Sequence, residues 1–237
     1  MKFDAIIFDF DGVLLESEFE ANVQLAELLT DLGHRHTPGE AIRHYTGLAG
    51  PDFIAAVERR IGEPLPPEFH DRMKAESVRA LKEGIEAVAG AVEFVRALPP
   101  SLPRAVASSS STKWIRGHLQ HLGLADAFGE HVYSGREHVS RGKPEPDIYL
   151  HAADRLGVAI GRSVILEDSE VGARGALASG ATVIGLAAGR HCFDGHDEML
   201  RSAGIAHVAH GFDEVADFLG LLQTSRRSPA RQGQISR

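Results

Sequence analysis

Short apolar runs alternate with amphipathic stretches along most of the chain. Phe3–Phe8 (FDAIIF) is apolar enough to read as a buried strand. The period then changes. Leu25, Leu28, Leu29 and Leu32 recur at i, i+3, i+4 and i+7, which predicts a helix over Glu18–Leu32 that Gly33 ends. Thr37-Pro38-Gly39-Glu40 has the form of a capping box with proline in the first turn, so a helix should run from there to about Tyr45. Phe53, Ile54, Val57 and Ile61 make another helical stripe, and Glu68–Lys82 reads as helix after a proline-rich break. From Ser17 to about Glu86 the pattern predicts helices and no strand.

Beyond Val88 strands return. Arg104–Ser108, His131–Ser134, Ser163–Leu166, Ala181–Leu186 and Ile205–Ala209 read as strands. Ala91–Leu98, Thr112–Leu122, Asp147–Leu156, Val171–Ala178 and Asp213–Leu222 read as helices between and after them. Such alternation predicts a parallel sheet covered on both faces. The expected architecture is an α/β core made of residues 1–15 and 88–222, with a helical insert over 16–87. Residues 223–237, rich in arginine and poor in apolar side chains, read as a disordered basic tail.

Composition narrows the partners. The formal net charge is −8, which suits a nucleic-acid backbone poorly, whereas a few local cations still permit a small anionic substrate. No apolar run reaches the ~18 residues a membrane span needs. The N-terminal residues lack the pattern of a signal peptide, so a cytoplasmic protein is expected. The one cysteine, Cys192, excludes an internal disulfide framework and reads as an incidental thiol. The histidines, His118 and His121 among them, show no spacing that joins them to other metal ligands and read as surface or core residues.

In open parallel sheets, sites form beyond the carboxyl ends of the strands. Those positions here carry Asp9 and Asp11, then Ser108, then Glu167 and Asp168, with Lys143 in a loop of its own. Each has a plainer reading: Asp9-Phe10-Asp11-Gly12 as a solvated acidic turn, Glu167-Asp168 and Ser108 as helix caps, and Lys143 as a surface lysine. Their occurrence at successive strand ends is harder to explain by packing. Two aspartates at i, i+2 on an extended segment point the same way and repel unless a cation or a proton intervenes. Both remedies suit phosphoryl transfer by a carboxylate nucleophile with a second carboxyl as acid and base. Gly12 permits a tight turn that would leave backbone N–H groups free for phosphate oxygens. An EF-hand loop is a poorer match, since it needs a third acidic position and its glycine at the sixth place.

Phe8-Asp9-Phe10-Asp11-Gly12-Val13-Leu14, Ala107-Ser108, Gly142-Lys143-Pro144 and Leu166-Glu167-Asp168-Ser169 together resemble the four motifs of the haloacid dehalogenase superfamily. The resemblance is to its sugar-phosphate branch and runs over residues 1 to about 222. It implies a Rossmann-like core with a mobile helical cap. Asp9 would be nucleophile and metal ligand, and Asp11 would be the general acid and base with its backbone carbonyl on the metal. Asp168 would bind Mg²⁺ with Glu167 in support. Ser108, with its neighbour Ser109, and Lys143 would hold phosphate.

Within that family a dehalogenase would lack the second aspartate. A β-phosphoglucomutase-type enzyme is expected to carry a histidine where Ala21 stands and an arginine where Gly50 stands. The expected activity is therefore hydrolysis of a small phosphorylated sugar or sugar acid, with the mutase as the alternative. A catalytically dead binding protein would have lost the nucleophile or the lysine, and both are present. Substrate contacts are expected from Arg43, His44, the loop from Gly47 to Asp52, and Lys74, in a monomer or weak homodimer.

Overall fold

The computed structural model describes residues 3–46, 48 and 50–221. Gly47 and the 223–237 tail lie outside them. Six strands form one sheet: β1 (Ala5–Phe8), β2 (Arg104–Ser108), β3 (Val132–Ser134), β4 (Ser163–Glu167), β5 (Thr182–Leu186) and β6 (His207–Ala209). Their order is β3-β2-β1-β4-β5-β6, every neighbouring pair is parallel, and the fold is Rossmann-like.

The central strands are buried on both faces, as apolar runs without alternation require. Ile6 and Phe8 of β1 and Val164 and Leu166 of β4 pack into one core. Ile7 and Ile165 point to the opposite core with Tyr149, Ala152 and Ala173. Phe8 sits in register with Val106 of β2 and with Leu166 of β4. The residues that follow these strands therefore emerge side by side on one edge, where the strand order reverses at β1.

Between β1 and the rest of the sheet lie four helices: α1 (Ser17–Asp31), α2 (Pro38–Tyr45), α3 (Gly50–Ile61) and α4 (Pro67–Glu83). They share a hydrophobic cluster of their own, built on Leu25, Leu28, Leu29, Tyr45, Val57 and Phe69. The Thr37 capping box forms: Glu40 N–H donates to Thr37 Oγ1 at 3.2 Å, and Thr37 N–H donates to Glu40 Oε2 at 2.9 Å.

The remaining helices are α5 (Ala91–Ala97), α6 (Thr112–His121), α7 (Ala125–Phe128), α8 (Asp147–Leu156), α9 (Glu170–Ala178), α10 (His196–Ser202) and α11 (Phe212–Leu219). Two of these, α7 and α10, are absent from the sequence reading. With 4 residues α7 is too short to show a period, and α10 buries only His196 and Leu200 of its seven residues, so it carries no apolar stripe. Among the described residues no helix is long and apolar enough to cross a membrane.

Candidate active site

Asp9 follows β1 directly, and its backbone N–H donates to the carbonyl of Leu166 at 2.9 Å, which locks it to the end of β4. Glu167 and Asp168 leave β4 one step further on. Ligand oxygens of Asp9, Glu167 and Asp168 fall within 4.8 Å of one another, and all three residues are buried. Lys143 Nζ reaches across to Asp9 Oδ1 and Glu167 Oε1, each at 2.6 Å. The hydroxyl of Tyr149, on α8, donates to the same Glu167 oxygen at 2.8 Å. Glu167 Oε2 in turn accepts from the Ser169 N–H at 2.9 Å and from its hydroxyl at 3.0 Å.

The electrostatics follow from crowding acids in a dry place. Burial raises the Asp9 carboxyl, the Lys143 charge lowers it, and Glu167 and Asp168 raise it again, leaving it well above the usual carboxylate range. Burial opposes the Lys143 charge, but Asp9 and Glu167 outweigh that and hold the ammonium protonated. Burial also opposes the Glu167 carboxylate. Lys143 and the hydrogen bonds from Ser169 and Tyr149 overcome it and keep the group below its ordinary value. Three acidic side chains crowd this edge, with Lys143 on Asp9 and Glu167 and the His191 ring 2.8 Å from Asp168. Asp168 Oδ1 is moreover buried without a hydrogen-bond partner. A hard divalent cation with oxygen ligands fits both facts.

Asp11 lines the same cavity but keeps other company. Its carboxylate accepts from Ser17 Oγ at 2.6 Å, Ser110 Oγ at 2.6 Å, Trp114 Nε1 at 3.0 Å and Ser108 Oγ at 3.3 Å. The expected common direction of the two aspartates is corrected here. Regular strand ends at Phe8, so i, i+2 alternation does not extend to Asp11. A second correction concerns Gly12, whose own N–H is taken by the Leu15 carbonyl at 2.8 Å. The glycine serves a different need. Its φ is +78°, and a Cβ there would lie 2.1 Å from Asp168 Oδ2. Gly172 plays the same part for Glu167, whose Oε1 would meet a Cβ at 1.7 Å.

These groups open into a cavity of about 1050 Å³ between the sheet edge and the helical insert. Asp9, Asp11, Ser108, Ser109, Lys143 and Asp168 line its floor; Arg43, Ile42, Thr46, Leu48, Met73 and Arg79 contribute from the insert. Lys74 is exposed and does not line the cavity. On α4 the cavity-facing positions are Met73, Glu76, Ser77, Arg79, Ala80 and Glu83, on one side of the helix, and Lys74 lies about 100° round the helix from Met73. His44 and Asp52 are likewise not among the lining residues.

Sequence reasoning missed Ser17, Ser110, Trp114, Tyr149 and two histidines. His191 Nε2 lies 2.8 Å from Asp168 Oδ2, and His196 Nε2 donates to the Asp168 carbonyl at 2.8 Å. The reading of the histidines as unconnected to other ligands is corrected by these contacts with Asp168; donor atoms of His191, Cys192 and His196 also lie within 4.8 Å of one another. The signal was available. His191 sits in the loop beyond β5, where the strand-end rule that found Asp9 and Asp168 also applies. Ser110 and Trp114 follow β2 in the same way.

Comparison with known proteins places this geometry. A model of the haloacid dehalogenase-like hydrolases matches residues 3–180. The chain belongs to that family. Hexitol phosphatase A of Escherichia coli is 37% identical over 189 residues, covering 78% of this hydrolase and 83% of that protein. The 6-phosphogluconate phosphatase of Escherichia coli is 25% identical over 210 residues, covering 88% and 91%. A solved family hydrolase from Deinococcus radiodurans, with bound phosphate and sodium, superposes with a TM-score of 0.81 at 33% identity, covering 94% of this hydrolase and 98% of that chain.

Proposed function

We propose that this hydrolase is a Mg²⁺-dependent phosphatase of small phosphorylated sugars or sugar acids that works through a phospho-aspartate on Asp9. One observation carries the reading: a buried Asp9 carboxylate, held by Lys143 at 2.6 Å, at the floor of a cavity large enough for a sugar phosphate. The names of the relatives, which are phosphatases of hexitol phosphates and of 6-phosphogluconate, support the substrate class.

Asp9 and Asp168, with the backbone carbonyl of Asp11, would hold the metal, with Glu167 in support. A bound Mg²⁺ supplies charge neutralisation between the carboxylate nucleophile and the anionic phosphate. Asp9 attacks phosphorus, forming the aspartyl O–P bond as the bond to the leaving oxygen breaks. Asp11 gives that oxygen its proton. Asp11 then takes a proton from water, whose oxygen attacks the phospho-aspartate and releases inorganic phosphate with Asp9 regenerated. Lys143 neutralises the transferring group, and Ser108 and Ser109 line the phosphate end of the cavity. The helices of 16–87 act as a cap that shields the first step and supplies Arg43 to the substrate.

A mutase must hold a sugar between two phosphoryl transfers and protect its phospho-aspartate from water. Ala21, on the cavity wall where a mutase histidine is expected, offers no polar group for that purpose. The test is a panel of phosphorylated sugars assayed for free phosphate, alongside conversion of β-glucose 1-phosphate to glucose 6-phosphate. Phosphate release that stops with a chelator, returns with Mg²⁺ and is lost in Asp9→Asn supports the phosphatase. Isomer without phosphate overturns it, as does turnover retained by Asp9→Asn.

A further inference from the structure

The proposed chemistry leaves two buried histidines unused, and both close on Asp168. His191 is 1% and His196 3% exposed, and their rings stand nearly perpendicular, 86° apart with centroids separated by 5.5 Å. The room His191 occupies is made by glycine. A Cβ on Gly189 would lie 2.5 Å from its Nδ1, and one on Gly12 would lie 3.0 Å from its Cε1.

We propose that His191 is a positioning residue for the metal centre, fixing Asp168 Oδ2 so that Oδ1 is presented to the cation, while His196 pins the backbone of the same residue. The inference rests on the metal reading of Asp9, Glu167 and Asp168 given above. An aspartate carboxylate can rotate about its last bond, so an oxygen that must face an ion is best set by holding the other. The observed contacts divide in that way. Oδ2 takes His191 at 2.8 Å, Oδ1 has no partner, and the carbonyl takes His196. A carbonyl can only accept, so Nε2 of His196 carries the hydrogen. A separate soft-metal site at His191, Cys192 and His196 would need both Nδ1 atoms with the Cys192 thiolate, because Nε2 of both rings is already engaged by Asp168.

The test is direct binding of Mn²⁺, a hard stand-in for Mg²⁺, to the full chain, read from the free-ion electron paramagnetic resonance signal. Melting temperatures of each variant confirm folding. His191→Leu keeps the volume and removes the bond; it should weaken Mn²⁺ binding about tenfold or more. His191→Gln, whose amide can donate from nearly the same place as Nε2, should recover most of that loss. Gly189→Ala leaves the histidine in the chain but displaces its ring, and should weaken binding even if both His191 variants fail to fold. Folded variants that bind Mn²⁺ as tightly as the wild type overturn the proposal while leaving the phosphatase reading intact, and so does a His191→Gln protein as impaired as His191→Leu. A wild-type protein that binds no Mn²⁺ overturns both.

Discussion

Lys143 Nζ lies 2.6 Å from Asp9 Oδ1, and neither side chain is more than 9% exposed. A buried ion pair of this kind is costly to break from one side, because the abandoned charge has no water to turn to. Lys143 also holds Glu167, so its loss leaves two buried acidic groups without their partner. Lys143→Met is therefore expected to lose roughly 3–5 kcal/mol of stability. Asp9→Asn keeps an oxygen acceptor for the ammonium and leaves Glu167 paired, so it should lose much less. Urea unfolding of the two variants with metal chelated checks the order, and an Asp9→Asn protein less stable than Lys143→Met contradicts it.

The indole of Trp114 gives a second, separable effect. Its Nε1 donates to Asp11 Oδ1 at 3.0 Å, and Asp11 is not among the clustered carboxylates of Asp9, Glu167 and Asp168. Trp114→Phe keeps an aromatic ring and removes the donor. A hydrogen bond to a charged group contributes about 1.5 kcal/mol or more. The expected result is a turnover number about tenfold lower with the Mg²⁺ requirement unchanged. A change in the Mg²⁺ requirement would mean that Trp114 acts on the cation site and not on Asp11.

Gly12 links the nucleophile's loop to Asp168. Alanine there meets two obstacles: a φ of +78° and a Cβ 2.1 Å from Asp168 Oδ2. The left-handed backbone alone costs roughly 1–2 kcal/mol. The steric conflict falls on the carboxylate oxygen that His191 holds at 2.8 Å. Gly12→Ala should melt earlier than the wild type and bind Mn²⁺ more weakly, measured by calorimetry on the same preparation. A variant that loses stability but keeps full Mn²⁺ affinity would show that Asp168 yields without consequence.

How much of this was readable in the sequence depends on the range over which each feature is determined. The Thr37–Glu40 capping box is set by residues three apart, and it formed as read. The strand ends bearing Asp9, Ser108 and Glu167 were legible because a buried parallel strand must be a continuous apolar run. Direction was not legible. Asp11 turns toward Ser17 and Trp114 because the chain has already left the strand, and only the packing of α6 shows that Trp114 can reach it. Lys74 and Met73 are adjacent in sequence, and which one faces the cavity is settled by how α4 seats on its neighbours. His191 and His196 looked unconnected because their partner is the carboxylate and carbonyl of a residue on another strand.

Glu18 carries a pH dependence that those long-range contacts create. It lines the cavity at the start of α1. Burial raises its carboxyl first, Asp168 and Asp11 raise it further, and His191 partly opposes them, so that it is pushed up to about 7. In the unfolded chain a glutamate ionises near its ordinary value of 4.5. Below that pH the group is protonated in both states and costs nothing. As pH rises from there to about 7 the unfolded state gives up its proton while the folded state keeps it, so stability falls across that window. A shift of this size corresponds to roughly 3 kcal/mol once the fall is complete. Glu18→Gln has no proton to lose. With metal chelated, the difference in melting temperature between Glu18→Gln and the wild type should widen in favour of the variant between pH 5 and about 7.5, then level off. A difference that stays flat across that range would show that Glu18 ionises in the folded protein as freely as in the unfolded chain.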